Sequence, residues 1–212
     1  MTPSLPMTKD LVLIGGGHTH ALVLRAWGMC PLAGVRLTLI NPGPASPYSG
    51  MLPGFVAGHY DRAALSIDLV QLARFAGARL ILGAATALDP IARQIAVGDR
   101  VISFDVASLD VGLTASMPDL SGFETFGVPV KPLGAFAQAW GDARDKSEDI
   151  VVRGGGIAGA AIAMAMAHAR HRKTKITVID VGQVLQTVPP WPRQHILRAM
   201  RALGINVIEN AT

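Results

Sequence analysis

The sequence contains a single cysteine, Cys30, among its 212 residues. One cysteine excludes an intrachain disulfide framework and a Cys-x-x-Cys motif. It also excludes thiol–disulfide exchange within the chain, because exchange needs a second thiol to resolve the first bond. Any redox chemistry of this chain therefore has to be carried by something other than a cysteine pair.

Charged residues are also few, at 16% of the chain, whereas half of the residues are hydrophobic. This composition excludes an intrinsically disordered protein and is typical of a compact α/β fold. The longest apolar run, residues 156–169, is too short to span a bilayer and is rich in Ala and Gly. Residues 1–10 lack the apolar core of a signal peptide. We therefore expect a soluble cytoplasmic protein without a transmembrane segment.

The formal net charge of +4 raises the question of nucleic-acid binding, but the arginines are scattered along the chain. The one dense basic run, residues 170–175, follows an apolar stretch with helical character. Cations at that position interact favourably with the negative end of a helix dipole. We therefore expect no nucleic-acid partner.

Apolar runs and helical patterns alternate along the chain. The expected strands are 11–14, 35–40, 79–82, 106–111, 149–152, 175–179 and 205–208, and the expected helices are 18–27, 65–75, 133–144, 157–170 and 193–203. Short β segments between residues 86 and 104 predict a small antiparallel excursion. The alternation predicts an α/β fold with parallel sheets, in two Rossmann-like βαβ units.

The two units are recognised by a glycine-rich turn between an apolar strand and a helix. Such a turn binds a diphosphate, since its first glycine permits the sharp bend, its second admits the phosphates and its third lets the helix pack closely. The second unit has all three, Gly154, Gly156 and Gly159. The first unit has Gly15 and Gly17, but His20 replaces the third glycine. We expect His20 to push the helix outward or to direct its imidazole into a groove.

An acidic residue after the next strand normally bonds the ribose hydroxyls of the nucleotide. Asp180 has this position in the second unit, and no arginine follows in residues 181–183 to receive a 2′-phosphate. The second unit is therefore predicted to bind NADH rather than NADPH. The first unit has Asn41 instead, whose amide bonds a hydroxyl less strongly than a carboxylate does.

Two such units with a β excursion between them resemble the pyridine nucleotide-disulfide oxidoreductase superfamily, whose first unit holds FAD and whose second holds NAD(P)H. Residues 104–112 are similar to the second FAD motif of that superfamily, with Gly112 retained from its final triplet. Residues 15–20, 47–54, 58–60 and 130–132 more narrowly resemble the NADH dehydrogenase-like flavoprotein module, which in some proteins is fused to selenide, water dikinase. The resemblance implies an FAD-binding domain at 1–115, a connector and helix at 116–147 and an NAD(P)H-binding domain at 148–212.

The resemblance also implies a set of cofactor contacts. Gly15, Gly17 and His18 would bind the FAD phosphates, Asn41 the adenosine ribose, and residues 48–52 the flavin. Ala85 would present backbone to adenine, and Asp110 with Gly112 would close the pocket. The full cofactor-binding set is Gly15, Gly17, His18, Asn41, Tyr48, Ser49, Met51, Leu52, Ala85, Asp110, Gly112, Gly154, Gly156, Ala158, Gly159 and Asp180. No general acid or base is assigned. His18 and His20 lack the accompanying carboxylate or cysteine cluster of a metal site, so no metal is expected.

The chain departs from the family pattern in three places. Residues 47–54 carry no redox cysteine pair, so electrons would pass from the flavin to a non-disulfide small-molecule acceptor, a quinone or another compound. Ala161 stands where related dehydrogenases have a glutamate. The chain ends at Thr212, before the later FAD motif, so the C-terminal part of the usual fold is expected to be missing.

These departures leave alternatives to an NADH:flavin oxidoreductase open. One is a non-catalytic dinucleotide-binding or sensing module, and another is a redox partner domain of a selenium-handling enzyme. A peripheral membrane contact and a homodimer also stay open. His59 and Tyr60 are expected to pack a loop rather than to act in catalysis.

Overall fold

The structure is a computed structural model that describes residues 8–112, 120–144, 146–169 and 174–211. Its strands are β1 (Lys9–Ile14), β2 (Val35–Asn41), β3 (Ala45–Pro47), β4 (Ser66–Asp68), β5 (Arg79–Leu82), β6 (Ala85–Asp89), β7 (Gln94–Val97), β8 (Arg100–Ser103), β9 (Val106–Leu109), β10 (Asp149–Arg153), β11 (Lys175–Ile179) and β12 (Ile205–Ile208). Its α-helices are α1 (His18–Met29), α2 (Leu52–Val56), α3 (Leu69–Phe75), α4 (Phe123–Phe126), α5 (Leu133–Ala143), α6 (Ile157–Ala169) and α7 (Pro190–Ala202). Most of the basic run that starts at Arg170 and the beginning of the connector at Met117 lie outside the described residues.

The chain forms two compact units. The first contains the described parts of 1–48 and 66–114, and the second contains 49–65 together with the described parts of 115–212. The segment Ser49–Leu65 is therefore inserted into the sequence of the first unit but packs as part of the second.

The first unit is built on a four-stranded sheet with the order β5-β2-β1-β9. All three strand pairs are parallel, and β1 lies between β2 and β9. Parallel strands need crossover connections, which α1 provides between β1 and β2, and α3 provides before β5. The predicted first βαβ unit is confirmed.

Both faces of this sheet are covered, which explains why β1 is a continuous apolar run. Leu13 and Leu39 pack with Leu24 of α1 in one buried cluster. On the opposite face, Val12 and Ile14 pack with Ile95 and other side chains of the small antiparallel sheet β6-β7-β8. Because successive side chains of β1 point to opposite faces of the sheet, this strand contributes to both hydrophobic clusters.

The second unit contains the parallel sheet β10-β11-β12. Its core includes buried residues of α6, such as Ala163 and Met166, together with Ile176 and Val178 of β11. Because α6 is apolar around most of its circumference, it is buried on several sides, as expected of a helix without a polar face. The second βαβ unit is thus also confirmed.

Two of the predicted helices begin at other residues than the sequence indicates. The helix expected from residue 65 begins at Leu69, because residues 66–68 pair with β3 and the side chain of Asp68 accepts a hydrogen bond from the backbone N–H of Gln71 as an N-cap. The helix expected from Arg193 begins earlier, at Pro190. Proline is well suited to a first helical turn, where no intrahelical partner for a backbone N–H is needed.

Candidate functional site

The first glycine turn connects β1 to α1 and is shaped by backbone geometry that only glycine adopts easily. Gly15 has a φ of +89°, and a Cβ at this position would overlap the backbone carbonyl of Asp110. Its N–H donates to the carbonyl oxygen of Ile40 at 2.8 Å, which continues the β1–β2 ladder into the turn. Gly15 therefore has the bend-forming role that its place in the motif predicts.

Asn41 supports this turn from the end of β2. Its Oδ1 accepts a hydrogen bond from the backbone N–H of Gly16 at 2.8 Å, and its Nδ2 donates to the carbonyl oxygen of Gly43. The side chain is buried. The structure thus gives Asn41 a role in holding the turn, whereas its expected contact with a ribose stays a prediction.

His20 lies in the place of the third glycine, and its imidazole is buried, with 1% of the residue exposed. Nδ1 is 2.6 Å from the carbonyl oxygen of Gly15, and Nε2 is 2.9 Å from Oγ of Ser108 on β9. Since a carbonyl only accepts, Nδ1 carries a proton and donates to Gly15, while Nε2 is paired with the Ser108 hydroxyl. Two arrangements were expected for His20, an outward shift of the helix or an imidazole directed into a groove. The structure shows the second, with the ring filling the space between the turn and β9.

Asp110 follows β9 and lies at the N-terminus of α1. Its Oδ2 accepts a hydrogen bond from the backbone N–H of His20 at 2.9 Å. A Cβ at Gly17 would come within 2.5 Å of both carboxylate oxygens of Asp110, so the carboxylate lies directly against that glycine. Gly17 itself is the N-cap of α1 and has no side chain with which to cap it. Asp110 therefore caps the helix from a distant strand.

The second glycine turn, between β10 and α6, repeats the first. Gly154 has a φ of +107°, and its N–H donates to the carbonyl oxygen of Ile179 at 2.9 Å. The backbone N–H of Gly155 donates to Oδ2 of Asp180 at 2.6 Å, just as that of Gly16 donates to the side chain of Asn41. In both turns the donor and the acceptor are 25 residues apart. The internal duplication read from the sequence is therefore a duplication of hydrogen bonds as well.

The remaining glycines of the second turn have the positions that diphosphate binding requires. A Cβ at Gly159 would overlap the carbonyl oxygen of Gly154, so only glycine lets α6 approach the turn so closely. Among the residues that the structure describes, no atom outside the turn's own neighbours lies within 4 Å of a Cβ position at Gly154 or Gly156. The space beside Gly156 is therefore open where the approach of a phosphate is expected.

The carboxylate of Asp180 accepts two backbone hydrogen bonds, from Gly182 at Oδ1 and from Gly155 at Oδ2. These two bonds, that of Gly182 first, lower the pKa of the Asp180 carboxyl, and the positive charge of Arg153 adds to the effect, while partial burial opposes it. Asp180 is consequently ionised at neutral pH. The negative charge of Asp180 disfavours a nearby 2′-phosphate, the group that NADPH has and NADH lacks.

The other predicted contacts fall in both units. In the first unit the rings of His18 and Tyr48 stack with their centroids 4.6 Å apart and their planes 8° from parallel. In the second unit Leu52 is buried in the hydrophobic core, against which Met51 packs. Three further residues of the predicted set, Ser49, Ala85 and Ala158, lie at the start of a 3-10 turn, at the start of β6 and in the first turn of α6, respectively.

Residues 9–212 match the family of pyridine nucleotide-disulphide oxidoreductases. The chain belongs to this family. No curated protein sequence matches it. Among solved structures, the water-forming NADH oxidase from Lactobacillus brevis bound to NADH is similar, with 20% identity and a TM-score of 0.78 over 97% of this chain and 47% of that one.

Two further solved structures are similar to the chain. NDH2 from Plasmodium falciparum, in complex with RYL-552, has 16% identity and a TM-score of 0.76 over 96% of this chain and 48% of its own. A NAD-dependent persulfide reductase from A. fulgidus has 19% identity and a TM-score of 0.74 over 96% and 40%. At these identities the likeness shows the fold. The chain spans about half the length, or less, of these three structures.

The second unit also has a cavity of about 440 Å³, which the sequence did not predict. Its lining consists of Phe55, Gly58, His59, Tyr60, Asp61, Trp140, Gly141 and Arg144. The indole Nε1 of Trp140 donates to the carbonyl oxygen of Val56, which ties α5 to the segment after α2. His59 lies against His168 of α6, with ring centroids 5.0 Å apart. His59 and Tyr60 belong to a loop beside this cavity, and the glycines around them in the sequence were the local signal for that loop.

In the part of the chain that the structure describes, the histidines, cysteines and carboxylates form no group of three placed to hold a metal ion. None of the helices in that part has both the length and the hydropathy to cross a membrane.

Proposed function

We propose that this chain is the nucleotide-binding part of a flavin-dependent oxidoreductase that passes a hydride from NADH to FAD and on to a non-disulfide acceptor. The bound cofactors would supply the redox chemistry, while the protein binds them, aligns them and excludes water. In this proposal the FAD-binding domain lies within residues 1–115, the connector within 116–147 and the NADH-binding domain within 148–212, with the segment Ser49–Leu65 packed as part of the second compact unit.

The observation that carries the proposal is the duplicated turn. In each unit the first glycine donates to a carbonyl at the end of the neighbouring strand, Ile40 or Ile179. The residue after it, Gly16 or Gly155, donates to a side chain 25 residues further on. This arrangement leaves the N-terminus of a helix facing the turn, and a helix N-terminus favours bound phosphate. Two equivalent turns support two dinucleotides, as in the family to which the chain belongs.

The second turn fits the diphosphate of NADH. The open space at Gly156 admits a phosphate, and Ala158 and Gly159 belong to the helix turn that would face it. Asp180 is ionised and lies at the end of β11, where its carboxylate would accept hydrogen bonds from ribose hydroxyls. The same charge would repel a 2′-phosphate, which supports NADH over NADPH.

The first turn is proposed to hold FAD. Gly15 and Gly17 would face the diphosphate, with the stacked rings of His18 and Tyr48 beside it. Asn41 would reach the ribose from behind the turn. At Gly112 no atom of the described residues lies within 4 Å of a Cβ position, so this glycine would leave space at the end of β9. Ala85 would contact the adenine. The flavin contacts expected from the sequence at Ser49, Met51 and Leu52 stay predictions, since these residues belong to the second unit and Leu52 is buried in its core.

The acceptor is proposed to be a small molecule other than a disulfide. Cys30 is the only cysteine in the sequence, and it is exposed in the structure. The resemblance of residues 15–20, 47–54 and 58–60 to the NADH dehydrogenase-like module supports an NADH dehydrogenase-like activity, with a quinone as one candidate acceptor.

Anaerobic reduction of bound flavin tests the proposal. The purified chain is mixed with FAD, freed of excess cofactor and titrated with NADH, and the visible flavin band is expected to bleach. A chain that binds NADH but no flavin would contradict the oxidoreductase and support a non-catalytic dinucleotide-binding module, which the alanine at position 161 would suit.

A substitution in the second turn tests where NADH binds. Gly156→Ala is expected to weaken NADH binding by about tenfold or more, roughly 1.4 kcal/mol, because the added Cβ occupies the phosphate approach. The turn itself should fold normally, since nothing lies within 4 Å of that Cβ. Gly134→Ala in α5, which also has open space, is the matched control and should leave NADH affinity unchanged. Equal NADH affinity in the two variants would place the site elsewhere.

A further inference from the structure

The two glycine turns differ in what lies in front of their second glycine. In the second turn, the Cβ position at Gly156 has no atom within 4 Å. In the first turn, the Cβ position at Gly17 lies 2.5 Å from each carboxylate oxygen of Asp110. The space that the motif keeps free for an incoming phosphate is therefore open in one unit and filled by an anionic side chain in the other.

Asp110 also uses a backbone donor that a bound anion would need. Its Oδ2 accepts from the N–H of His20, the third residue of α1. Donors in this first turn have no partner within the helix and are the groups that hold phosphate oxygens at a helix N-terminus. The carboxylate thus resembles a phosphate in charge, in position and in the donor that it uses.

We infer that Asp110 is an internal competitor for the nucleotide diphosphate at the first turn. This inference rests on the proposed function, because it concerns the same FAD site. A diphosphate that approaches Gly17 meets the carboxylate, so binding requires the side chain to rotate away from the N-terminus of α1. The competition lowers the affinity of the first turn for a dinucleotide and has no counterpart at the open second turn.

The anchoring of Asp110 supports this role. Its backbone N–H donates to the carbonyl oxygen of Ile14 at 2.8 Å, so the main chain is held in place, while the side chain is only half-buried. His20 remains fixed after such a rotation, because its ring is bonded at both nitrogens to Gly15 and Ser108. The turn therefore keeps its shape whether the carboxylate or a phosphate lies against it.

Calorimetric titration of the full chain with FAD tests the inference. Asp110→Asn removes the charge but keeps a side-chain oxygen that can accept from His20, so the fold should be retained. We expect it to bind FAD about tenfold more tightly than the wild type. Asp89→Asn removes the same charge from the same unit at an exposed turn, where the carboxylate bonds the backbone of Ile91 and Ala92, and it should bind FAD as the wild type does.

The outcomes separate the inference from the proposed function. If the wild type binds FAD and Asp110→Asn binds it with equal or lower affinity, Asp110 is not a competitor, and the FAD proposal is unaffected. If neither protein binds FAD, although circular dichroism shows both to be folded, the FAD site itself is refuted, and the inference falls with it. Should the asparagine variant fold poorly, Asp110→Ser, which is shorter and uncharged, repeats the test. As a control, the affinity for NADH should be unchanged in all of these variants.

Discussion

Replacing His20 with glycine would restore the family's third glycine, yet we expect it to destabilise the protein. A pattern-based argument predicts a neutral or favourable change, since glycine is the residue that usually lets the helix pack closely. In this structure the imidazole fills the space between the turn and β9 and is 1% exposed. His20→Gly removes this filling and both hydrogen bonds of the ring.

The cost follows from three changes at one position. Removing a buried ring of this size costs roughly 2 kcal/mol in lost packing. Leaving the carbonyl of Gly15 without its partner costs roughly 1–3 kcal/mol, and glycine in a helix costs a further 0.5–1 kcal/mol or so. We expect the free energy of unfolding of the first unit to fall by about 4 kcal/mol.

Urea unfolding measures this loss. Trp27 lies in α1 and packs against the core of the first unit, so its fluorescence follows the unit in which His20 lies once Trp140 and Trp191 of the second unit are replaced by phenylalanine in every protein compared. Thr19→Gly is the matched control, because Thr19 is the preceding residue of the same helix turn and is exposed. It should cost less than about 1 kcal/mol.

A double-mutant cycle identifies the hydrogen bond to Ser108. Ser108→Ala in the wild-type background should cost about 1 kcal/mol, and in the His20→Gly background it should cost little, because its partner is already gone. The reasoning is refuted if His20→Gly unfolds within 1 kcal/mol or so of Thr19→Gly, since the imidazole then contributes nothing beyond helix propensity.

Two further predictions concern the second unit. Gly159→Ala should destabilise the second unit by roughly 2–4 kcal/mol, because the new Cβ overlaps the carbonyl oxygen of Gly154 and α6 must move away. Thermal unfolding measures this loss, and Gly156→Ala, which has room for its Cβ, is the control. Asp180 should stabilise the fold in a pH-dependent way. Its pKa is lowered in the folded state, so the stabilisation is complete above the unfolded carboxyl pKa of about 4 and is lost as the pH falls through the lower folded value. The stability difference between wild type and Asp180→Asn, measured in urea, should therefore shrink below about pH 4, and a difference that stays constant on acidification would contradict this account.

Much of the fold could be predicted from local patterns. The strands β1, β2, β10 and β11 are apolar runs, and each glycine turn follows one of them directly, so periodicity and turn chemistry located both βαβ units. The helix α3 was placed too early because the pairing of residues 66–68 with β3 depends on a segment distant in sequence.

The candidate site could be predicted only in part. The spacing from each turn to Asn41 and Asp180 located these residues at the ends of β2 and β11, because a βαβ unit has a characteristic length. It did not show that both side chains bond to the backbone of their own turn. The cavity beside Trp140 was also missed, since it is formed by the segment Phe55–Asp61 and by α5, which are far apart in the chain.

The sequence by itself determined that two glycine bends follow two buried strands, since the bend and the strand are properties of adjacent residues. The tertiary structure alone decided that His20 turns inward and that a carboxylate lies against the first bend. Ser108 and Asp110, the residues responsible, are 88 and 90 residues from His20 and reach it because β9 pairs with β1. The register of that parallel pair, which no local pattern specifies, is what brings a strand end and its charge to the start of α1.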